Sequence, residues 1–444
     1  MPPLWEELAR TAQTDGFLPV ASAVFLMAVA HALATPWIGR WTQRRPSAWL
    51  HWLAEVEAVF VLWAVGLLLL ALVWPGKGGG FVLGYLGADA GPAGSKFVEP
   101  SFVFIVMTLA SARPVLALAR RVLVGVAGWL GGGVAAEWLV VLTLAPLLGS
   151  LITEPAAMTI AAGLLAARFF RLGPSLHLRY ATLALLFVNV SVGGALTHFA
   201  APPIVMVASV WGWGGMEVFR QFGVAAVATL LLANVVYFVW FRRELFALGQ
   251  AGDAGPAEEA APPRWLSALH VAVLAGAVAA FSFHQVGTML GCLLAFFVLR
   301  AVTARWQDAS LGLRGPAMVG MFLAGLVVLG GFQGWWIGPL IGRAGESGLL
   351  WAAVGLTAFN DNAAVTYLAA QVPALAEPGA AALRHALVSG ALAGGGLTVL
   401  ANAPNPAGLS ILGRFFPEGV SPWRLAVWAL LPTLIAVATF LFLR

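Results

Sequence analysis

Two acids interrupt otherwise apolar stretches of this chain. Glu154 lies in Thr153-Glu154-Pro155-Ala156-Ala157-Met158-Thr159, and Asp361 in Asn360-Asp361-Asn362-Ala363-Ala364-Val365-Thr366. Both segments read polar, acid, helix-starting residue, Ala, Ala, apolar, Thr. A charged side chain at membrane depth costs about 2.5–3.5 kcal/mol on insertion scales, so an acid kept there points to use rather than accident. A carboxylate can carry a proton or ligate a hard cation through oxygen. Glu154 and Asp361 are therefore the candidate ion and metal ligands. The Thr153 hydroxyl and the amides of Asn360, Asn362, Asn402 and Asn405 are candidate neutral ligands. The asparagines could equally satisfy the backbone of an interrupted helix. Helix capping is the structural alternative at the tips. It suits Thr153 and Asn360 and is open to Asp361, but it suits Glu154 poorly, because Glu is not a favoured cap. His198 is a candidate proton carrier, although a lone helical His is more often a hydrogen-bonded packing residue.

The elements that must hold these residues follow from composition. Of 444 residues, 61% are hydrophobic and 10% charged, against about 25% charged in soluble domains. The expected class is an all-α polytopic membrane protein. A spanning helix needs about 20 apolar residues. Such runs occupy 17–38, 49–74, 97–114, 180–199, 222–241, 266–283, 286–303, 316–338, 382–400 and 422–443. The first, Phe17 to Ile38, has no small-residue cleavage site after it and reads as a retained span. Trp residues near run ends, among them Trp37, Trp49, Trp211, Trp213, Trp240, Trp265 and Trp423, suit a membrane interface. Stretches 135–170 and 347–372 are broken by the two acidic motifs into arms too short to span. They read as re-entrant hairpins whose polar tips need protein or water around them. Residues 115–131 read as an interfacial helix.

The Gly-, Pro- and Ala-rich segment 243–264 divides the chain into 1–242 and 265–444. Each part then holds three spans, a hairpin and two spans. Five crossings is odd, so the second half starts from the opposite side and the repeat is inverted. Charge agrees: with both termini outside, seventeen of the 24 basic residues fall in cytoplasmic segments. The hairpins then enter from opposite faces, and their tips can meet near the midplane. A second match supports the repeat. Gly193-Gly194-Ala195-Leu196-Thr197 parallels Gly394-Gly395-Gly396-Leu397-Thr398, and each runs into a helix-breaking stretch containing Pro202-Pro203 or Pro404-Asn405-Pro406. These prolines cannot donate and so hold the breaks open. The glycines suit close helix packing. Glu55 and Glu57 share no helix face, and His31 or Arg113 could pair with either. Glu99 reads as interfacial, and Glu137 as facing water or a neighbouring helix.

Other chemistries are disfavoured. The net charge of +5 is scattered rather than striped, which argues against nucleic acid. One cysteine, Cys292, excludes an internal disulfide framework and a thiolate metal site. No G-x-x-x-x-G-K-[ST], H-E-x-x-H or G-x-S-x-G motif is present, so an enzyme is not expected.

Four segments carry a resemblance: His51-Trp52-Leu53-Ala54-Glu55-Val56-Glu57-Ala58-Val59-Phe60, Phe97-Val98-Glu99-Pro100-Ser101-Phe102-Val103-Phe104, Gly149 to Thr159, and Asn402-Ala403-Pro404-Asn405-Pro406-Ala407-Gly408. Through them the chain resembles the bacterial sodium/proton antiporter family and, more widely, the ion transporter superfamily. The resemblance implies inverted repeats, opposed hairpins and broken helices. Dicarboxylate carriers of that superfamily place Ser-Asn-Thr motifs at their tips, whereas Thr-Glu-Pro and Asn-Asp-Asn stand here, and two acids favour a cation. The expectation is a secondary transporter exchanging protons for a monovalent cation, Na+ first. The alternative is a sodium-coupled organic or inorganic anion carrier. No cofactor is expected beyond transported Na+ and H+. The expected setting is the bacterial inner membrane, with lipid and a second copy of the chain, as a homodimer, as partners.

Overall fold

A computed structural model of the chain describes residues 3–42, 56–87, 95–250, 261–309 and 311–444. Trp49, Glu55 and most of the His51–Phe60 motif's first half lie outside the described residues, as does the side chain of Glu57. Every regular element among the described residues is helical.

The first half comprises α1 (Leu4–Thr14), α2 (Phe17–Thr42), α3 (Val56–Val73), α4 (Gly79–Tyr85), α5 (Val98–Ala110), α6 (Arg113–Trp129), α7 (Val134–Ile152), α8 (Glu154–Arg168), α9 (Leu176–Gly193), α10 (Pro202–Trp211) and α11 (Val224–Gln250). The second comprises α12 (Arg264–Ser282), α13 (Val286–Val302), α14 (Arg314–Gly330), α15 (Gly334–Ile341), α16 (Glu346–Phe359), α17 (Asn362–Ala370), α18 (Ala381–Gly394), α19 (Asn405–Leu412) and α20 (Pro422–Phe442). Among the described residues, seven helices are long and apolar enough to cross a membrane, or nine if each of two bent pairs counts as one span. Two of the seven are the arms α7 and α8, so the arms of the first hairpin, expected to be too short to span, are each long and apolar enough to do so. Helices occur in all ten runs expected from sequence, several of them shortened or split, and residues 49–55 of the second run lie outside the described residues.

Both hairpins form. A single residue, Thr153, separates α7 from α8, and Asn360 and Asp361 separate α16 from α17. Pro155 sits in the first turn of α8, where its missing N–H is harmless. The base of the first hairpin is closed by Arg168 and Glu137, 2.6 Å apart, so Glu137 faces a neighbouring helix as expected. In the second hairpin, Glu346 reaches Arg444 at 2.8 Å. Buried amides fasten the first arm to its surroundings. Asn189 of α9 donates to Leu142 O at 2.9 Å and to Asn234 Oδ1 of α11 at 2.8 Å. Asn234 in turn donates to Thr143 Oγ1 of α7 at 2.8 Å. Such bonds hold helices together where lipid offers no hydrophobic drive.

Four boundaries differ from the sequence reading. The runs 180–199 and 382–400 are not α-helical to their ends; α9 stops at Gly193 and passes into a short 3-10 turn to Leu196, α18 stops at Gly394, and the chain opens before α10 and α19. The run 316–338 bends by 81° between α14 and α15. There Gln333, fully buried, donates to Leu329 O at 2.8 Å and accepts from Ser22 and Trp336. The break from α5 to α6 turns the chain by 67° and comes earlier than expected, at Ser111 and Ala112. Residues 243–250 extend α11 rather than forming linker, while 251–260 lie outside the described residues. Trp37, Trp240, Trp265 and Trp423 are well exposed, as interfacial residues should be, but Trp211 and Trp213 are buried against each other.

Candidate functional site

The tip of the first hairpin meets the break of a helix from the other half, and the tip of the second meets the last turn of a helix from the first half. Glu154, fully buried at the start of α8, accepts through Oε2 a 2.7 Å hydrogen bond from Asn402 Nδ2, in the break between α18 and α19. Reciprocally, Asn362 at the start of α17 donates through Nδ2 to Ser191 Oγ of α9 at 3.3 Å, while its backbone N–H reaches Ala401 O at 3.1 Å. Ser191 itself donates to Leu392 O of α18 at 2.8 Å. The neighbouring helices follow the same exchange: α8 packs against α19, and α17 against α10.

The two halves fasten their breaks in the same manner. Thr197 Oγ1 donates to Ser150 O, and Thr398 Oγ1 to Ala358 O, each at 2.8 Å. In both cases the threonine that follows the glycine run is tied to the last turns of its own hairpin's first arm. Asn405 closes the second break by donating through Nδ2 to Gly395 O at 2.8 Å and Thr398 O at 2.9 Å.

Asp361 is nearly buried. One of its oxygens caps α17, accepting from Ala363 N at 2.9 Å. Asn360 accepts from the Asp361 N–H at 3.0 Å and stands half-buried beside the tip. Capping thus accounts for one oxygen of Asp361 and for none of Glu154. Gly194 sets the other wall. A Cβ there would lie 2.5 Å from Glu154 Oε1, so only glycine leaves the carboxylate in place.

The atoms left over have one chemical character. Thr153 Oγ1, Glu154 Oε1, Thr357 Oγ1, Asn362 Oδ1, Asn402 Oδ1 and Asn405 Oδ1 are all buried and lack a hydrogen-bond partner. Each is an oxygen. An unpaired buried polar group costs about 1–3 kcal/mol; the carboxylate and amide oxygens only accept, so a cation or a proton relieves them and an anion does not, while the two hydroxyls can also donate. Thr153 adds backbone strain: its φ of 81° and ψ of 150° lie in a region open mainly to glycine. The described residues hold no group of three or more His, Cys, Asp and Glu. Glu154 and Asp361 lie at the two tips with amides and hydroxyls around them, and oxygens of these kinds are the ones that hard cations take. Thr357, Ser191 and Gly194 join the site without having been singled out as ligands from the sequence; a hydroxyl or a glycine in an apolar run looks like packing.

His198 is placed elsewhere. Its Nε2 lies 3.1 Å from Ser282 Oγ, and it lines a cavity of about 690 Å³ with Lys96, Glu99, Ser209 and Tyr367. Glu99 accepts from Ser209 there at 2.8 Å, and burial holds the Lys96 ammonium below the usual lysine range. The cavity runs beside α17 from Tyr367 to Gln371, away from the tip.

Comparison with known proteins agrees with the membrane reading. The sequence profile of a family described as "Putative Na+/H+ antiporter" matches residues 17–443. No curated protein matches the chain. Among solved structures, the Alcanivorax borkumensis YdaH transporter, described as having an unusual topology, is similar at 16% identity and a TM-score of 0.47. The match covers 87% of this chain and 96% of that one.

Proposed function

The chain belongs to the Na+/H+ antiporter family whose profile spans it, and from that premise we propose that it exchanges protons for a monovalent cation, Na+ first, across the bacterial inner membrane. The observation that carries this reading is the set of unpaired oxygens at the two tips and the second break. Glu154 and Asp361 alternate between proton and cation. The hydroxyls of Thr153 and Thr357 and the amide oxygens of Asn362, Asn402 and Asn405 replace part of the cation's water.

The test is ion-driven pH change in proteoliposomes, with Na+, K+ and Li+ supplied separately. Na+ addition should move protons in the opposite direction. Uptake of a carboxylate with no proton movement on cation addition would instead favour the sodium-coupled anion carrier.

A further inference from the structure

A second cavity, of about 510 Å³, lies between α6, α8 and the residues leading into α12. Arg113, Arg120, Arg121, Thr159, Pro262 and Asp308 are among its lining residues. Among the described residues, three guanidiniums face one carboxylate. Asp308 stands 4.0 Å from the Arg113 Nε, which leaves Arg120 and Arg121 as the positive surplus. Arg121 gives one terminal nitrogen to Pro262 O. Its other terminal nitrogen and Arg120 Nε are buried without a hydrogen-bond partner.

These orphaned atoms are donors, the reverse of the acceptors at the hairpin tips. A planar guanidinium presents its N–H groups in a fork that fits an oxyanion bidentately. The opposite flank of α6 exposes Val122 and, at its end, Trp129. A helix with arginines on one flank and an exposed Trp on the other suits headgroup depth.

We propose that this cavity binds a phosphate-type oxyanion, carried either by an anionic phospholipid headgroup or by free phosphate. The site is separate from the acids and takes a ligand of opposite charge to theirs. One of its walls is α8, the second arm of the first hairpin, so an occupant ties that arm to α6.

The test uses the full-length protein and two double variants, Arg120→Gln with Arg121→Gln, and Arg120→Lys with Arg121→Lys. Native mass spectrometry after incubation with equal phosphatidylglycerol and phosphatidylcholine reads the lipid source. Thermal unfolding in inorganic phosphate against chloride at equal ionic strength reads the free-ion source. A lipid site retains phosphatidylglycerol over phosphatidylcholine, and the glutamine variant weakens that retention about tenfold or more. A free-phosphate site shows no lipid preference but a phosphate-dependent rise in melting temperature that the glutamine variant loses. The lysine variant keeps the charge but not the fork, and weakens either signal; it also serves if the glutamine variant does not fold. The proposal is overturned if the wild type shows neither signal, or if the folded variants match it in both.

Discussion

At Glu154 one carboxyl oxygen accepts from Asn402 while the other faces Gly194 with no donor at all. Adding a methyl there should push the carboxylate aside, so Gly194→Ala is expected to lower cation-coupled exchange strongly in a protein that still inserts, checked by transport beside size-exclusion behaviour. Thr153 presents the opposite balance of stability and function. Relaxing its φ of 81° with Thr153→Gly should stabilise the protein by about 1 kcal/mol. The same change removes a buried hydroxyl oxygen and should weaken the apparent cation affinity; melting temperature and a cation titration read the two effects separately. The acids and asparagines were legible in the sequence because polar residues are rare in these runs. Thr357 and Ser191 were not, because only their burial beside the tips distinguishes them from packing hydroxyls.

The hairpins and breaks are the elements on which this site depends, and they share a fastening. Thr197→Val and Thr398→Val each remove one hydroxyl bond to a hairpin carbonyl. Each should cost about 1 kcal/mol of stability. If the repeat is real in energy as well as in sequence, the two losses should be alike in thermal unfolding; a large loss for one and none for the other would contradict it. The hairpins could be read in advance because acid, proline and asparagine interrupt long apolar stretches. The 81° bend at Gln333 could not, since its polar side chain is satisfied by Leu329, Ser22 and Trp336 across elements far apart in sequence. The shortening of α9 and α18 was hidden for a similar reason: Gly-Gly-Ala-Leu-Thr is compatible with a membrane helix, and tertiary bonds from Asn405 and the threonines hold its second copy open.

For the whole molecule, the expectation from the arginine bias is that both termini lie outside and segment 243–264 in the cytoplasm. Tags at residue 250 and at the C-terminus should therefore report opposite sides in intact cells, and the same side for both would remove the inverted repeat. The central claim is that two acids, one from each half, share the coupled ions. It is met most directly by Na+-driven proton movement in proteoliposomes containing wild type, Glu154→Gln or Asp361→Asn. Each substitution nearly preserves shape and removes a charge, and Asn remains a competent cap for α17. Loss of one member of a buried polar network can itself destabilise, so insertion and monodispersity are measured on the same samples. The account predicts Na+-driven exchange in the wild type and its loss in both well-inserted variants. Exchange near the wild-type rate in both would contradict it and make the two acids structural.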